Sequence, residues 1–256
     1  MEVRFLKGKT DRMKLKTALQ KVKEKGLRYT IRYILFKLFS KGKDKNAYNI
    51  VLLTNRDSDN LGDQVIEACD IGLISTVMKN LNIKESHYMI QSRAAAIIPQ
   101  KFLSTRDPKH LKNAHKTMKD ADIVIFGGAP MFNYLYQTFY EKTAVTLEVA
   151  QELGKPVIFS AIGVERYEED NAKCQRLKKT LNFDCVKQIT TRDDFEALQK
   201  YCESDHISIG KVADPAVFSD RIFKNYITPK KSGGKKKIGL FILRANGFVD
   251  NHFDFD

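Results

Sequence analysis

The sequence predicts an α/β fold, a doubly wound and mainly parallel sheet preceded by a basic amphipathic helical arm. Three observations predict it. Short apolar runs alternate with longer segments of helical periodicity, a pattern that antiparallel hairpins do not produce. The stretches after several of these runs are rich in Gly, Asn and Asp, as expected at the ligand-binding edge of a parallel sheet. Positive charge is concentrated ahead of the first run. Residues 1–46 hold 15 Lys and Arg against 4 acidic residues, leaving 29 against 27 for the remainder of a 256-residue chain of net charge +13.

The arm comes first. In "GLRYTIRYILFKLFSKGKDK" the residues Leu27, Ile31, Ile34, Leu35 and Leu38 share one helical face, while Arg28, Arg32, Lys37, Lys41 and Lys43 leave the rest basic. Such a helix either lies in an anionic membrane surface or packs on the domain or on another subunit. Nucleic acid is the weaker partner, because the arm brings no base-stacking sheet or helix-turn-helix context.

Strands are expected at "NIVLLT", "SHYMIQ", "DIVIFGG", "PVIFSAI", "KQITTR", "ISIGKVA" and "KKIGLFIL", with helices near 64–80, 108–119, 137–153, 169–181 and 194–202. In the first helix Val65, Ile66, Cys69, Leu73, Val77 and Leu81 form the expected core stripe. The repeating βα unit makes the domain Rossmann-like. The chain then reads as an arm at 1–46, a Rossmann-like domain at 47–227, and at 228–256 a linker, "TPKKSGGKKK", followed by the first strand of an incomplete second domain.

Several classes are disfavoured. Cys69, Cys174, Cys185 and Cys202 form no CxxC pair, so neither a zinc site nor a redox dithiol is expected. No segment reads as a cleavable leader or approaches the ~20 apolar residues of a spanning helix. A cytoplasmic setting is expected, with peripheral attachment to the inner face of the membrane through the arm.

In a doubly wound sheet, ligands bind beyond the carboxyl ends of the strands. Four loops there stand out: "RDSDNLGD", "GGAPMFN", "AIGVERYEED" and "TTRDD". None is a GxGxxG or GxxxxGK[ST] pattern, so no dinucleotide fingerprint or P-loop is claimed. Asp63 either caps the helix beginning near Gln64 or serves as a general base. Gly127 and Gly128 either admit a ligand close to the backbone or form a tight turn. Asp193 or Asp194 can cap the helix that follows Arg192.

In order, "DNLGDQVI", "DADIVIFGGAPMFN", "KPVIFSAIGVE", "ITTRDDFEALQKY" and "VADPAVF" resemble the polysaccharide pyruvyl transferase family over roughly residues 48–220. The resemblance implies a two-domain plan like that of GT-B glycosyltransferases. It also implies transfer of a pyruvyl ketal group from phosphoenolpyruvate to a sugar of a surface-glycan precursor, with no further cofactor and no metal. Arg192 then either suits the carboxylate or phosphate of the donor or forms a structural salt bridge with Asp193, Asp214 or another acid, and Asp63 suits proton removal from the acceptor hydroxyl. Asn60, Gly62, Gly127 and Gly128 would shape the acceptor side, whose partner is a glycan or lipid-linked saccharide.

This chain departs from the pattern where Ala129 and Pro130 follow the two glycines, since the family usually has a third glycine there. The family's second half carries an Arg/His motif for donor binding and acid catalysis, and His252 does not stand in for it. The expectation is therefore an N-terminal half that is weak or inactive without a C-terminal partner chain. The alternatives are half of a GT-B-type glycosyltransferase and a non-catalytic, membrane-docked, glycan-binding scaffold.

Overall fold

The computed structural model describes residues 47–56, 60–95, 97–135 and 139–226. The arm, the linker, the seventh strand and His252 lie outside them. Described residues up to Ile222 belong to one compact unit; Phe223–Tyr226, with the 3-10 turn Lys224–Tyr226, belong to a second.

Six strands form one all-parallel sheet: β1 (Tyr48–Thr54), β2 (Tyr88–Ala94), β3 (Ile123–Gly127), β4 (Val157–Ile162), β5 (Val186–Thr191) and β6 (Ser208–Lys211), in the order β2-β1-β3-β4-β5-β6. The doubly wound α/β reading holds. Strand β1 is buried from Asn49 to Thr54, which is why it reads as a continuous apolar run and not as an alternation. Its neighbours pair in register, Ile50 with Ile90 and Ile123.

The helices are α1 (Leu61–Asn80), α2 (Gln100–Thr105), α3 (Lys112–Lys119), α4 (Phe139–Glu152), α5 (Ala172–Leu181), α6 (Phe195–Tyr201) and α7 (Ser219–Ile222). From β1 the chain steps outward to β2 and then returns past β1 to β3. Right-handed crossovers therefore place α1 on one face and the later crossovers on the other. The burial pattern agrees. Val51, Leu53, Val124, Phe126, Val157 and Phe159 join one core with residues of α3 to α6, whereas the alternate β1 positions Ile50 and Leu52 lie on the α1 side.

Three details differ from the sequence reading. Helix α1 starts at Leu61, not near Gln64, and its N-cap is Asn60, whose side chain accepts from the Gly62 N–H. Asp63 lies in the first turn, where an acid complements the helix dipole but is past the capping position. The buried line of α1 runs through Ile66, Asp70 and Met78, with Cys69 beside it, while Val77 and Leu81 are 55 % and 62 % exposed. An i, i+4 row is inclined to the helix axis, and the helix follows that row across a twisted sheet. Finally, the 3-10 turn Pro215–Phe218 and α7 fold back against α1: a Cβ on Gly72 would collide with the Ile222 side chain.

All four cysteines are free, three of them buried and Cys202 half-buried. Among the described residues no helix is long and apolar enough to cross a membrane.

Candidate functional site

The path reverses between β1 and β3. Their crossovers diverge to opposite faces, and in a doubly wound sheet the loops at the carboxyl ends on either side of such a reversal are where ligands are expected. The loop after β1 is closed by Asn55, whose Nδ2 donates to Asp63 Oδ2 at 2.8 Å. Asn60 caps α1 at 2.8 Å. Asp63 is half-buried, whereas Asn60 and Gly62 are exposed. Beside them Arg56 donates to the Ser92 carbonyl at 2.8 Å and pairs with Glu67 at 3.4 Å, and Ser92 Oγ donates to Glu67.

The loop after β3 is a buried corner. Gly128 has φ +58°, the left-handed conformation that favours glycine. Ala129, Met131, Phe132 and Tyr134 are buried. The Phe132 ring meets Phe159 edge-on at 5.9 Å and Tyr201 at 5.1 Å. Where the third glycine is replaced, Ala129 uses its carbonyl to accept from Gly163 N–H at 3.1 Å, joining this loop to the one after β4. Glu165 completes the join by accepting from the N–H groups of Tyr134 and Leu135 at 3.0 and 3.2 Å.

The "AIG" and "ITTRDD" segments form a second linked unit. Ala161 has φ +50° where the β4–β5 register shifts. Such a conformation in a residue with a Cβ stores strain. Thr190 fills the irregularity, its hydroxyl accepting from Ala161 N–H at 2.9 Å and donating to the Phe159 carbonyl at 3.2 Å. Asp193 Oδ1 accepts from Val164 N–H at 3.0 Å, Thr191 Oγ1 at 2.7 Å and Asp194 N–H at 2.8 Å. Asp194 is the α6 cap, accepting from Ala197 N–H at 2.8 Å.

Beside these two capping and loop-joining acids, Arg192 is the cation of the segment. Its Nη1 donates to Asp214 Oδ2 at 2.6 Å, and its side chain keeps 22 % exposure. Asp214 Oδ1 caps the turn after β6 by accepting from Ala216 N–H at 2.8 Å. Arg192 and Asp63 start far apart: β5 is three strands from β1, about 14 Å at the ordinary strand spacing. The segment after β6 lies over α1, so Asp214 draws Arg192 toward the α1 side.

The inward line of α1 carries an acid that the sequence reading did not select. Asp70, on the inward line of α1, is 3 % exposed, and its Oδ2 has no hydrogen-bond partner among the described residues. Gly127 makes room for it: a Cβ there would stand 3.0 Å from Asp70 Cγ, closer still to Oδ2, and 3.1 Å from Leu52 Cδ1. Burial first, and then the nearby Asp214 carboxylate, push the Asp70 carboxyl up to about 7, against the opposing pull of Arg192. Cys69 beside it is pushed upward by burial and by the same two acids. A signal was available, since Asp70 lies four residues after Ile66 and so shares its face in an otherwise apolar stripe.

The family described as polysaccharide pyruvyl transferase matches residues 18–253. The chain belongs to that family. The match is longer than the motif-bearing stretch, extending into the basic arm and through the residues beyond Tyr226. No curated protein matches the chain. As a polysaccharide pyruvyl transferase family member it presents its five motifs together at the carboxyl edge of one sheet: four supply the loops after β1, β3, β4 and β5, and "VADPAVF" supplies Asp214.

Proposed function

We propose that this chain provides one wall of a site that transfers a pyruvyl ketal group from phosphoenolpyruvate to a sugar of a surface-glycan precursor. The family match over residues 18–253 carries this reading. The site chemistry supports it. Phosphoenolpyruvate brings a carboxylate and a phosphate, and a guanidinium binds either through paired N–H donors. Arg192, paired on one side with Asp214, is the group proposed to receive them.

In the reaction the C2–O bond to phosphate breaks and two sugar hydroxyl oxygens bond to C2. One hydroxyl proton ends on C3, which becomes a methyl group, and the other leaves with inorganic phosphate. Asp63, held by Asn55 at the start of α1, is proposed to take a proton from an acceptor hydroxyl. Asn60, Gly62, Gly127 and Gly128 are proposed to shape the acceptor side. A C-terminal half, present or supplied in trans, would face this wall, and the arm would hold the protein against an anionic inner membrane surface.

Phosphate release from phosphoenolpyruvate, measured with a lipid-linked acceptor and with and without a C-terminal half in trans, tests the reading. Arg192→Lys is expected to raise KM for phosphoenolpyruvate about 10-fold or more, because a charge-assisted bidentate contact contributes ~1.5–3 kcal/mol. Asp63→Asn is expected to lower kcat about 100-fold. Selective protection from proteolysis by a nucleotide sugar, with none by phosphoenolpyruvate, would replace pyruvyl transfer with glycosyl transfer. Equal liposome pelleting with and without residues 1–46 would remove the membrane role.

A further inference from the structure

The two faces of the sheet are unequally covered. On one face Val51, Val124, Phe126, Val157 and Phe159 are fully buried in the main core. The other face begins at Tyr48, which alternates with Ile50 and Leu52 and so shares the α1 side. In-register pairing carries that side across the sheet, from Ile50 to Ile123, from Leu52 to Ile125, and from Ile125 to Ile158. Ile123, Ile125 and Ile158 are half-buried, and Tyr48 is 52 % exposed. All-parallel sheets are ordinarily covered on both faces. The described elements on this side are α1 and the segment after β6, which packs on α1 around Gly72.

Helix α1 leaves apolar side chains out at the same end. It runs against the strand direction, so its last turns lie near their amino ends, and there Val77 and Leu81 are exposed. The helix stop does not need them. Asn82 turns the chain with φ +59°, and Ile83 N–H donates to the Met78 carbonyl at 2.9 Å, a closure made by backbone alone.

We infer that the amphipathic segment of residues 27–43 covers this face, its apolar side seated on the amino ends of β1, β3 and β4 beside the last turns of α1. Position favours it, because Ala47 leads straight into β1 at that end of the sheet. Reach allows it: the eight residues between Leu38 and Ala47 extend up to about 26 Å. Length suits it too. A helix from Leu27 to Leu38 is about 16 Å long, enough to cross β1, β3 and β4, which span about 10 Å. The family match begins at residue 18 and takes in the whole segment, as expected of an element of the shared fold and not of a separate tail.

The chemistry is complementary. Leu27, Ile31, Ile34, Leu35 and Leu38 offer an aliphatic side to an aliphatic sheet face, and a tether next to β1 keeps their local concentration above that of any free partner. Arg28, Arg32, Lys37, Lys41 and Lys43 then stay in water. Docked this way, the arm meets an anionic surface with its cations and without inserting its apolar side.

Ile123→Cys in the full chain places a thiol on this face. Its rate of modification by N-ethylmaleimide, mapped by mass spectrometry, is compared with that of the half-buried Cys202. With the arm unchanged the introduced thiol is expected to react slowly. Adding Ile31→Glu and Leu35→Glu is expected to raise its rate several-fold and to leave Cys202 as it was. A rate that the arm substitutions do not change overturns the inference.

Hydrogen exchange on the unsubstituted chain decides the matter where both thiols speed up together. Protection of residues 27–38 in dilute, vesicle-free solution supports the docked arm, and exchange there at the rate of an unstructured peptide overturns it. Protection that appears only at high protein concentration assigns the face to a second copy. Protection that appears only with phosphatidylglycerol vesicles assigns the apolar side of the arm to the membrane. Either result overturns the inference. Neither readout involves phosphoenolpyruvate or a sugar, so failure of the pyruvyl-transfer reading leaves the result standing.

Discussion

Gly127→Ala is the sharpest steric test of how α1 meets the sheet. Gly127 does not occupy the left-handed region, so the new methyl introduces no backbone strain and acts only through what it touches. It would stand 3.0 Å from Asp70 Cγ and 3.1 Å from Leu52 Cδ1, and nearer to Asp70 Oδ2 than either. Ordinary contact begins near ~3.5 Å. Asp70 must therefore turn away or α1 must shift, and both are resisted by a fully buried neighbourhood. Overpacking of this kind costs ~1–3 kcal/mol. For a chain of this size that is a fall in Tm of about 2–12 °C. In an Asp70→Ala background the carboxyl is gone, the remaining contact is with Leu52, and the cost is expected to drop below ~1 kcal/mol. The double-mutant cycle, read by urea denaturation, should return a coupling of about 1–2 kcal/mol between two residues 57 positions apart. Equal costs in both backgrounds would refute the placement of Asp70 behind Gly127.

Three further outcomes are expected. The raised Asp70 carboxyl makes stability depend on pH with a definite sign: unfolded, the group ionises near 3.8, whereas in the fold it holds its proton until about 7. The native state thus binds the extra proton between those values, and the stability so gained is complete below about pH 4 and lost as pH rises through about 7, at up to ~1.4 kcal/mol per unit. Asp70→Asn cannot titrate, so its denaturation free energy should gain on the wild type from pH 4 to pH 7, and parallel curves would contradict the shift. Asp193→Ala removes an acceptor of three hydrogen bonds, one of which ties the loop after β4 to the loop after β5, and should cost ~1–2 kcal/mol by thermal denaturation, its surface position keeping the loss near the lower end for charged acceptors. Ala161→Gly relieves a φ of +50° and is expected to raise stability by ~1 kcal/mol; a loss of that size would show that the Ala161 methyl packs better than the strain it causes.

The strands were legible because the central one, β1, is a continuous buried run and the others are short runs rich in apolar or β-branched residues, and the order of these runs and helical patterns leaves few alternatives to a doubly wound sheet. Arg192 was legible for the same reason: a cation immediately after a buried strand lies at the carboxyl edge by construction. Its partner was open among several acids, Asp214 one of them, since Asp214 reaches it only because the segment after β6 folds back over α1, and no local pattern announces that return. The cap of α1 was misread by three residues because Asn60 and Asp63 are both capping types and the choice rests on backbone conformation. Val77 and Leu81 were assigned to the core by a straight helical stripe, whereas the real contact follows an inclined row.

Asp70 was missed for a deeper reason. Its meaning depends on Gly127, which the sequence left open between close ligand approach and a tight turn. The fold supplies a third use: the absent side chain at 127 is the space that a carboxyl from α1 enters. The hollow lies where β1 and β3 flank the reversal of the sheet, with α1 as the crossover on its own face. A polar group there is shielded from water yet close to the Arg192–Asp214 pair, which is the setting in which a single proton has the greatest leverage on a neighbouring charge. The burial that shields this carboxyl from water is also what makes it sensitive to protonation near neutral pH.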